Sequence, residues 1–199
     1  MTLLARLRTD TRAAHRALED DLGFLPGTIT PARYESVLSA FLGFHEPLEE
    51  ALTASITAHA LPWELTAGEG RLTADLRALG WSPERIASLP RSSAPDVPPL
   101  PALIGTLYVV EGAKLGGRVI TRWVRDELGP APVSFFAADG DARRGFRRFG
   151  VMAEAVLPAR DATAACEAAN RCFARFQEWL AISRDVNDLK APISWEARR

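Results

Sequence analysis

The sequence predicts an all-α protein with a single domain over residues 1–199. Apolar residues recur at intervals of three and four along most of the chain, which is the spacing of one face of an α-helix. No window shows sustained alternation of apolar and polar residues, and there is no internal repeat. Helix start and stop signals divide the chain into about six or seven helices. Because 47% of the 199 residues are hydrophobic, the chain is able to bury a sizeable core.

The first two helices are predicted from stripes of inward-facing residues. The first helix covers residues 2–23, and its stripe is Leu4, Leu7, Thr11, Ala14, Leu18 and Leu22. Thr30 is placed to cap the second helix, with Pro31 at its first position. The stripe of this second helix is Tyr34, Leu38, Phe41, His45, Leu48 and Leu52. Gly43 and Pro47 lie within the second helix, so we expect it to bend or break there.

The helical pattern weakens after the second helix. A short helix is expected over residues 72–79, where the apolar residues are Leu72, Leu76 and Leu79. Pro83 opens a further helical turn. Residues 92–101 hold four prolines and are interpreted as an ordered connector before the central helix.

Two more helices follow the central helix. Asp139 or Asp141 is placed to cap a helix that continues to about residue 157. The last helix is predicted over residues 161–182, and its inward residues are Ala165, Ala169, Phe173, Phe176 and Leu180. In the tail at residues 185–199, Trp195 suggests that part of the segment docks on the domain.

The central helix, predicted over residues 101–128, contains the stretch around which we expect the chain to be organised. This stretch reads Y-V-V-E-G-A-K-L-G-G-R from Tyr108 to Arg118. The apolar face of the helix is Leu103, Leu107, Val110, Leu115, Val119, Ile120 and Val124. Gly112, Gly116 and Gly117 lie inside the same helix, where each glycine costs about 1 kcal/mol relative to alanine. A glycine at such an unfavourable position indicates that another group approaches the helix backbone more closely than a Cβ atom would allow.

Two kinds of neighbour fit this glycine patch, of which Gly112 and Gly116 share one helix face. One is a second helix packed closely against it, and the other is a flat, bulky ligand. A membrane dimerisation motif is excluded because charged residues interrupt any span of about 20 apolar residues. Those charges are Glu111, Lys114, Arg118 and Arg122.

The composition excludes several classes of protein. A net charge of −1 with 25% charged residues argues against general nucleic-acid binding and against disorder. Cys166 and Cys172 fall on one predicted helix, where neither a disulfide nor a zinc site is expected, and this suits a reducing compartment. The N-terminal segment is charged from Arg6 onward and lacks the apolar core of a signal peptide. We therefore expect a cytoplasmic protein that does not enter a membrane.

The chain has three histidines, and His15 has the most informative surroundings. It adjoins the stripe of the first helix, with Arg8 seven residues before it and Glu19 four residues after it. Seven helical residues span about 10 Å, which would let Arg8 reach the edge of a large planar ligand held by His15. A histidine at the edge of an apolar face is also commonly a boundary residue with ordinary hydrogen bonds. His45 is interpreted as a core residue and His59 as a solvated one.

Two segments together resemble a known family. The segment L-R-T-D-T-R-A-A-H-R-A-L-E begins at Leu7, and the segment Y-V-V-E-G-A-K-L-G-G begins at Tyr108. They resemble the proximal and distal helices of haem oxygenases, most closely the bacterial branch associated with bacteriophytochromes. Their order, the separation between them and an F-x-x-[WF]-L-like ending of the last helix fit the same family. The resemblance extends over residues 5–182.

The resemblance implies a helical fold with haem between the first helix and the glycine-rich distal helix. His15 would be the iron ligand, and Glu19 would orient its ring through the other nitrogen. Arg8, Thr11 and Tyr108 are assigned to haem contact. The bare backbone at Gly112, Gly116 and Gly117 would lie over the distal face and direct dioxygen to the ring edge, so these glycines are assigned a catalytic role.

The resemblance also raises the question of what pairs with the haem propionates. Arg8 is the first candidate. The second is a run of arginines that forms two basic ridges, with Arg147 the favoured member. The run is Arg143, Arg144, Arg147 and Arg148. The remaining arginines are suited to dock an acidic electron donor, although such a run is commonly just a solvated face.

One residue departs from the pattern of the animal enzymes. Where those enzymes have an aspartate after the first distal glycine, this chain has Ala113. Protons for the reaction would then have to come through ordered water, backbone carbonyls or another side chain. Arg118 and Glu111 lie nearby in sequence.

The function implied by the resemblance is oxidative opening of haem to biliverdin, with release of iron and carbon monoxide. Haem would be both cofactor and substrate, dioxygen the oxidant, and a ferredoxin or flavin reductase the electron donor, with a bacteriophytochrome as a candidate acceptor of biliverdin. A haem carrier or sensor on the same fold is the alternative. A di-iron oxidase is disfavoured because the sequence has no Glu-x-x-His.

Overall fold

The computed structural model describes residues 1–137 and 141–188, with backbone alone over residues 184–188. The described part consists of nine α-helices and one short 3-10 helix, with no strand. The helices are α1 (Leu3–Asp10), α2 (Arg12–Leu22), α3 (Pro31–Ala58), α4 (Glu69–Ala78), α5 (Pro83–Ala87), α6 (Leu100–Ala113), α7 (Gly117–Leu128), α8 (Ala142–Val156) and α9 (Ala162–Asp188), with the 3-10 helix at Ala159–Asp161. The all-α prediction is confirmed. None of the described helices is both long and apolar enough to cross a bilayer.

Helix α9 is the element against which the proximal and distal segments both pack. Helix α6 lies along it, and α1, α2 and α3 also contact it. The closest approach is at Gly105 of α6, where a Cβ atom would overlap the carbonyl oxygen of Ala165. A hydrophobic cluster continues from Leu18 on α2 to Leu180 on α9, so the packing joins both halves of the chain.

The second predicted helix, α3, is continuous across Gly43 and Pro47, so of the bend or break expected there the break does not occur. A proline lacks the N–H that would bond the carbonyl four residues earlier, which here is that of Gly43. The N–H of Ser92 donates to this carbonyl at 2.9 Å and so satisfies it from the connector. Gly43 also leaves room for the ring of Trp179. The predicted stripe is buried throughout: Tyr34, Leu38, Phe41, His45, Leu48 and Leu52.

The first predicted helix is divided at Thr11, which corrects the single helix expected over residues 2–23. The Thr11 hydroxyl donates to the Leu7 carbonyl at 2.7 Å. Threonine side chains that bond back to the preceding turn commonly bend helices. The backbone bonds from Thr11 N–H to Leu7 and from His15 N–H to Thr11 persist, so α2 follows directly on α1.

The central helix is divided as well, into α6 and α7, with a turn at residues 114–116. Leu115 and Gly116 donate to the carbonyls three residues earlier, those of Gly112 and Ala113, instead of four. Leu115 and Val119, which we expected to face inward, are 38% and 43% exposed. The turn rotates them away from the face that buries Leu103, Leu107, Val110 and Val124. These two divisions account for the excess of helices over the predicted number.

The C-terminal half agrees with the sequence pattern. The Asp141 side chain caps α8 by accepting the N–H of Arg144 at 3.1 Å. The predicted inward residues of α9 are all buried: Ala165, Ala169, Phe173, Phe176 and Leu180. Cys166 and Cys172 are buried with free thiols. The predictions for Asp139, Trp195 and the last eleven residues fall outside the described part of the chain.

Candidate functional site

His15 lies on the outer side of α2, and its side chain is 54% exposed. Its Nδ1 is 3.4 Å from a carboxylate oxygen of Glu19, one turn further along the helix. Its ring meets the edge of Phe173 from α9, with the centroids 5.7 Å apart. The Nε2 atom has no hydrogen-bond partner among the described residues. The expected contact with Glu19 is therefore present, and one ring nitrogen is open to a ligand.

Thr11 and Arg8, the other predicted residues of the proximal segment, differ in their surroundings. Thr11 is only 2% exposed, and its hydroxyl proton is committed to the Leu7 carbonyl. Arg8 is exposed in the last turn of α1. The structure thus shows Thr11 as the residue that divides the proximal helix, while Arg8 is free to move toward an anionic group.

Tyr108, Gly112 and Phe146 meet at the C-terminal part of α6. The rings of Tyr108 and Phe146 have centroids 5.9 Å apart. A Cβ atom on Gly112 would meet only Phe146, at an ordinary contact distance of 3.6 Å. Tyr108 also packs against a small cluster formed by Leu7, Cys166 and Ala169. Through this cluster the proximal and distal segments are brought to the same side of α9.

The remaining two glycines have different neighbours. Gly116 is exposed, and a Cβ there would approach only the Ala113 carbonyl of its own turn, at 3.7 Å. Gly117 is buried against residue 136 of the loop before α8, and a Cβ there would overlap the Phe136 carbonyl oxygen. A close backbone neighbour thus accounts for Gly117, whereas the glycine face at Gly116 stays open.

The residues around Ala113 show which polar groups lie near the distal turn. Ala113 is exposed. Glu111 is buried, and its carboxylate accepts from Lys114 Nζ at 2.8 Å and from Trp63 Nε1 at 3.3 Å. Arg118 is exposed on α7. The Glu111 carboxylate is therefore committed to bracing the end of α6, because both of its partners come from neighbouring segments.

The predicted arginine run lies along α8, and all four side chains are exposed. Arg148 approaches the ring of Trp63, with the guanidinium carbon 6.0 Å from the centroid. Phe146 and Phe149 point inward between the arginines. Arg147 directly follows Phe146 in sequence, and Phe146 is the residue of α8 whose ring contacts Tyr108 of the distal segment.

His45 and His59 have the surroundings that we expected. His45 is buried, and its Nδ1 is 3.0 Å from Glu49, which also accepts the N–H groups of Gly68 and Glu69. Burial by itself would raise the pKa of Glu49, but the hydrogen bond and charge of His45 and the two N–H donors outweigh it, so the pKa is lowered. His59 is exposed and contacts the Pro98 carbonyl.

One buried acid near the distal turn was missed from the sequence. Asp75 on α4 is 2% exposed and holds residues 134 and 135, next to Phe136. Its position between Leu72 and Leu76, on the inward face of a short amphipathic helix, was a detectable indication. An acid on such a face needs a partner, because an unpaired buried carboxylate is costly.

The comparisons of this chain with a family model and with a related protein point to the same family. The model of the heme oxygenase family matches residues 1–182. A heme oxygenase from Xanthomonas campestris pv. campestris is 36% identical over 143 residues, which cover 70% of this chain and 81% of that protein.

Solved structures share the fold at lower sequence identity. The heme oxygenase of Leptospira interrogans superposes with a TM-score of 0.74 at 18% identity, over 92% of this chain and 100% of that one. The NO- and CO-bound heme oxygenase of Neisseria meningitidis gives 0.72 at 22% identity, over 92% of both chains. Heme oxygenase-1 of Synechocystis in complex with heme gives 0.72 at 17% identity, over 95% of both chains.

Proposed function

Because this chain belongs to the haem oxygenase family, and is therefore an enzyme of haem degradation, we propose that it converts haem to biliverdin with release of iron and carbon monoxide. Dioxygen is the oxidant in this proposal, and an external donor supplies the electrons. The observation that carries the proposal is His15, an exposed imidazole with one uncommitted nitrogen in the proximal motif of the family. Haem supplies the redox chemistry when it is bound, and the protein supplies its position.

On the proximal side, His15 would ligate the iron through Nε2. A neutral imidazole that ligates through Nε2 carries its proton on Nδ1, and the nearby Glu19 carboxylate would favour that tautomer by accepting a hydrogen bond from Nδ1–H. Phe173 would limit rotation of the ring through its edge contact. Arg8 keeps its proposed haem contact, through a propionate. Thr11 is buried and would act on the site indirectly, by dividing the proximal helix beside it.

On the distal side, Tyr108, Gly112 and Gly116 would cover the other face of haem. The open backbone at Gly116 admits a flat ring at a distance that a Cβ would prevent. Gly117 remains in the proposed catalytic set, and its effect would be indirect because it fixes the start of α7 against Phe136. The exposed Leu115 and Val119 are apolar surface that a bound porphyrin would cover.

Cations are available for the propionates and for a partner protein. Arg147 is our candidate on α8, and Arg143, Arg144 and Arg148 form the exposed surface that would dock an acidic ferredoxin or flavin reductase. Since Ala113 carries no acid and Glu111 is committed elsewhere, ordered water held by backbone carbonyls would deliver protons. A bacteriophytochrome as acceptor of biliverdin and a cytoplasmic location remain predictions from the sequence.

Reconstitution tests this function. The purified protein with one equivalent of haem should show a shifted Soret band, and reductant plus air should replace that band with the visible absorption of biliverdin. Carbon monoxide should be detected by trapping with deoxymyoglobin. Persistence of the Soret band with several electron donors would instead support a haem carrier or sensor, which binds the same ligand without turnover.

A further inference from the structure

The loop between α7 and α8 contains a segment, residues 131–137, that we call the strap. Asp75 of α4 holds it with both carboxylate oxygens. Oδ1 accepts the Ser134 N–H at 2.9 Å and the Ser134 hydroxyl at 2.7 Å, and Oδ2 accepts the Phe135 N–H at 2.9 Å. Hydrogen bonds to a buried charged group are among the stronger ones in proteins, so this anchor is a firm one.

A hydrogen bond from Tyr34 and a group of aromatic contacts also hold the strap in place. The Tyr34 hydroxyl donates to the Pro132 carbonyl, and burial together with the charge of Asp75 raises the pKa of Tyr34, which keeps it a donor. The Phe136 ring lies among those of Phe24, Tyr34, Phe41 and Phe135. The strap is therefore held to the rigid α3–α4 pair by hydrogen bonds and by aromatic packing.

The strap touches the distal segment at Gly117. The Phe136 carbonyl group lies directly against Gly117, the first residue of α7, where even a methyl group would not fit. Asp75 anchors the two residues that precede Phe136. The position of the Phe136 carbonyl, and with it the start of α7 and the turn at residues 114–116, thus depends on an acid from a different helix.

We propose that Asp75 is a positioning residue for the distal face: by anchoring the strap it sets how far the turn at residues 114–116 extends over bound haem. The inference rests on the proposed function, because it takes this turn to be the distal wall. Asp75 itself does not touch haem. It acts through Ser134, Phe135 and the Phe136 carbonyl on Gly117.

The test replaces Asp75 by asparagine, which has the same size. One oxygen remains to accept from Ser134, but the new amide group presents a donor to the Phe135 N–H. The strap should shift, and the distal turn should take up more than one position.

We expect the ferrous CO complex of Asp75→Asn to show a shifted or split C–O stretching band, with the His15-dependent Soret shift retained. Since misplacement by about 1 Å can lower a rate about 100-fold, conversion of the haem complex should slow by about tenfold, with an altered ratio of biliverdin isomers.

Ser55→Ala is the matched control. The Ser55 hydroxyl anchors another loop to α3, by donating to the Val97 carbonyl at 2.8 Å in a buried position, and makes no contact with the strap. Its loss should lower the stability of the apo-protein, yet leave the C–O band and the isomer ratio as in the wild type. If Asp75→Asn does not fold, Ser134→Ala removes the hydroxyl bonds to Asp75 and to the Arg71 carbonyl and leaves the two N–H bonds to Asp75 in place, so it should shift the same band to a smaller extent.

A double-mutant cycle with Gly117→Ala tests the route of the effect. The added methyl group pushes the Phe136 carbonyl from the opposite side, so it should perturb the band strongly in the wild type and little once Asp75→Asn has released the strap. Additive shifts, or a wild-type band and isomer ratio in a folded Asp75→Asn, would overturn the proposal. The C–O band requires only haem binding, so absence of turnover in the wild type would refute the proposed function and leave this test intact.

Discussion

His15 and His45 lie in similar sequence settings, each beside an apolar helical stripe, but the fold gives them opposite chemistry. His15 has an exposed ring with a free nitrogen, whereas the His45 ring is buried against Phe41, Phe135 and Phe176 and is paired with Glu49. A ligand nitrogen must be accessible, and of these two residues only His15 meets that condition. This difference separates a candidate iron ligand from a residue of the core.

His15→Ala should therefore alter haem ligation without unfolding the protein. Exposed substitutions away from packed features usually change the free energy of unfolding by less than about 0.5 kcal/mol. We expect an altered Soret band, little or no haem oxidation, and partial recovery of the band when imidazole is added. Absorption spectra and urea unfolding of the apo-protein measure the two effects.

His45→Ala should have the opposite outcome. It removes a buried ring and a partner of the Glu49 carboxylate, so unfolding should become easier by about 2–3 kcal/mol. The Soret band of any folded fraction should match that of the wild type. A normal band in His15→Ala, together with a lost one in His45→Ala, would transfer the iron site to α3.

Glu49 gives the protein a pH-dependent contribution to stability. Its pKa in the folded state lies below the ordinary value of a glutamate side chain, because His45 and the Gly68 and Glu69 N–H groups stabilise the carboxylate. A carboxyl with a lowered folded pKa stabilises the protein above the unfolded pKa, and this contribution is lost as the pH falls through the folded value. At neutral pH, Glu49→Gln should therefore lower the free energy of unfolding by about 1.5–3 kcal/mol.

The difference in the free energy of unfolding between Glu49→Gln and the wild type should narrow once the pH falls below about 4.3, the ordinary pKa of a glutamate side chain. Urea unfolding of the apo-proteins at a series of pH values measures this difference. A gap that stays constant down to the acid unfolding transition would show that the Glu49 carboxylate has no special role in the folded state.

At the scale of elements, the distal segment shows how one glycine pattern serves two purposes. Gly116 and Gly117 are adjacent in sequence, but Gly116 faces open space and Gly117 faces the Phe136 backbone. The turn between α6 and α7 places the two residues on different sides. The sequence motif alone does not distinguish Gly116 from Gly117.

Substitution by leucine should distinguish these two glycines. Gly116→Leu should leave the apo-protein folded and weaken haem binding or oxidation, because its side chain enters the proposed haem face. Gly117→Leu should destabilise the apo-protein by about 1–3 kcal/mol or more, as overpacking does. Thermal unfolding and haem titration of both variants provide the comparison, and normal haem turnover in Gly116→Leu would remove Gly116 from the site.

At the scale of the whole molecule, the contact between α6 and α9 determines where the distal segment lies. Gly105 allows the two helices to approach until its Cα meets the Ala165 carbonyl. The same pair of helices carries Tyr108 and Phe173, which reach the distal and proximal sides of the proposed site. The spacing of the helices is thus coupled to the geometry of the site.

Gly105→Ala should force α6 and α9 apart. Overpacking typically costs about 1–3 kcal/mol, and the better helix propensity of alanine offsets up to about 1 kcal/mol of it. Gly145→Ala is the control, because Gly145 lies in α8 with nothing near its would-be Cβ and should gain up to about 1 kcal/mol. Chemical unfolding measures the change in the free energy of unfolding for both variants. Equal changes in the two variants would show that α6 and α9 adjust their spacing without cost.

Local sequence patterns were enough to predict the helical class, the buried stripes of α3 and α9, and the proximal and distal motifs. Helical periodicity is local, so a stripe such as Tyr34 to Leu52 is visible without knowledge of its partner. Capping is local as well, which is why Asp141 was one of the two residues predicted to cap α8. The family resemblance rested on two short motifs and was confirmed over residues 1–182.

Three features could not be predicted from local patterns and were seen only in the tertiary structure. They are the way in which Pro47 is accommodated, the points at which the first and central helices divide, and the neighbours of each glycine. These features depend on groups far away in sequence: Ser92 satisfies the Gly43 carbonyl, and Phe136 occupies the space beside Gly117. Asp75 is the clearest case, because its three partners lie about sixty residues further along the chain, at Ser134 and Phe135. No local pattern specifies such a pairing, because a buried carboxylate requires donors but does not determine which segment provides them.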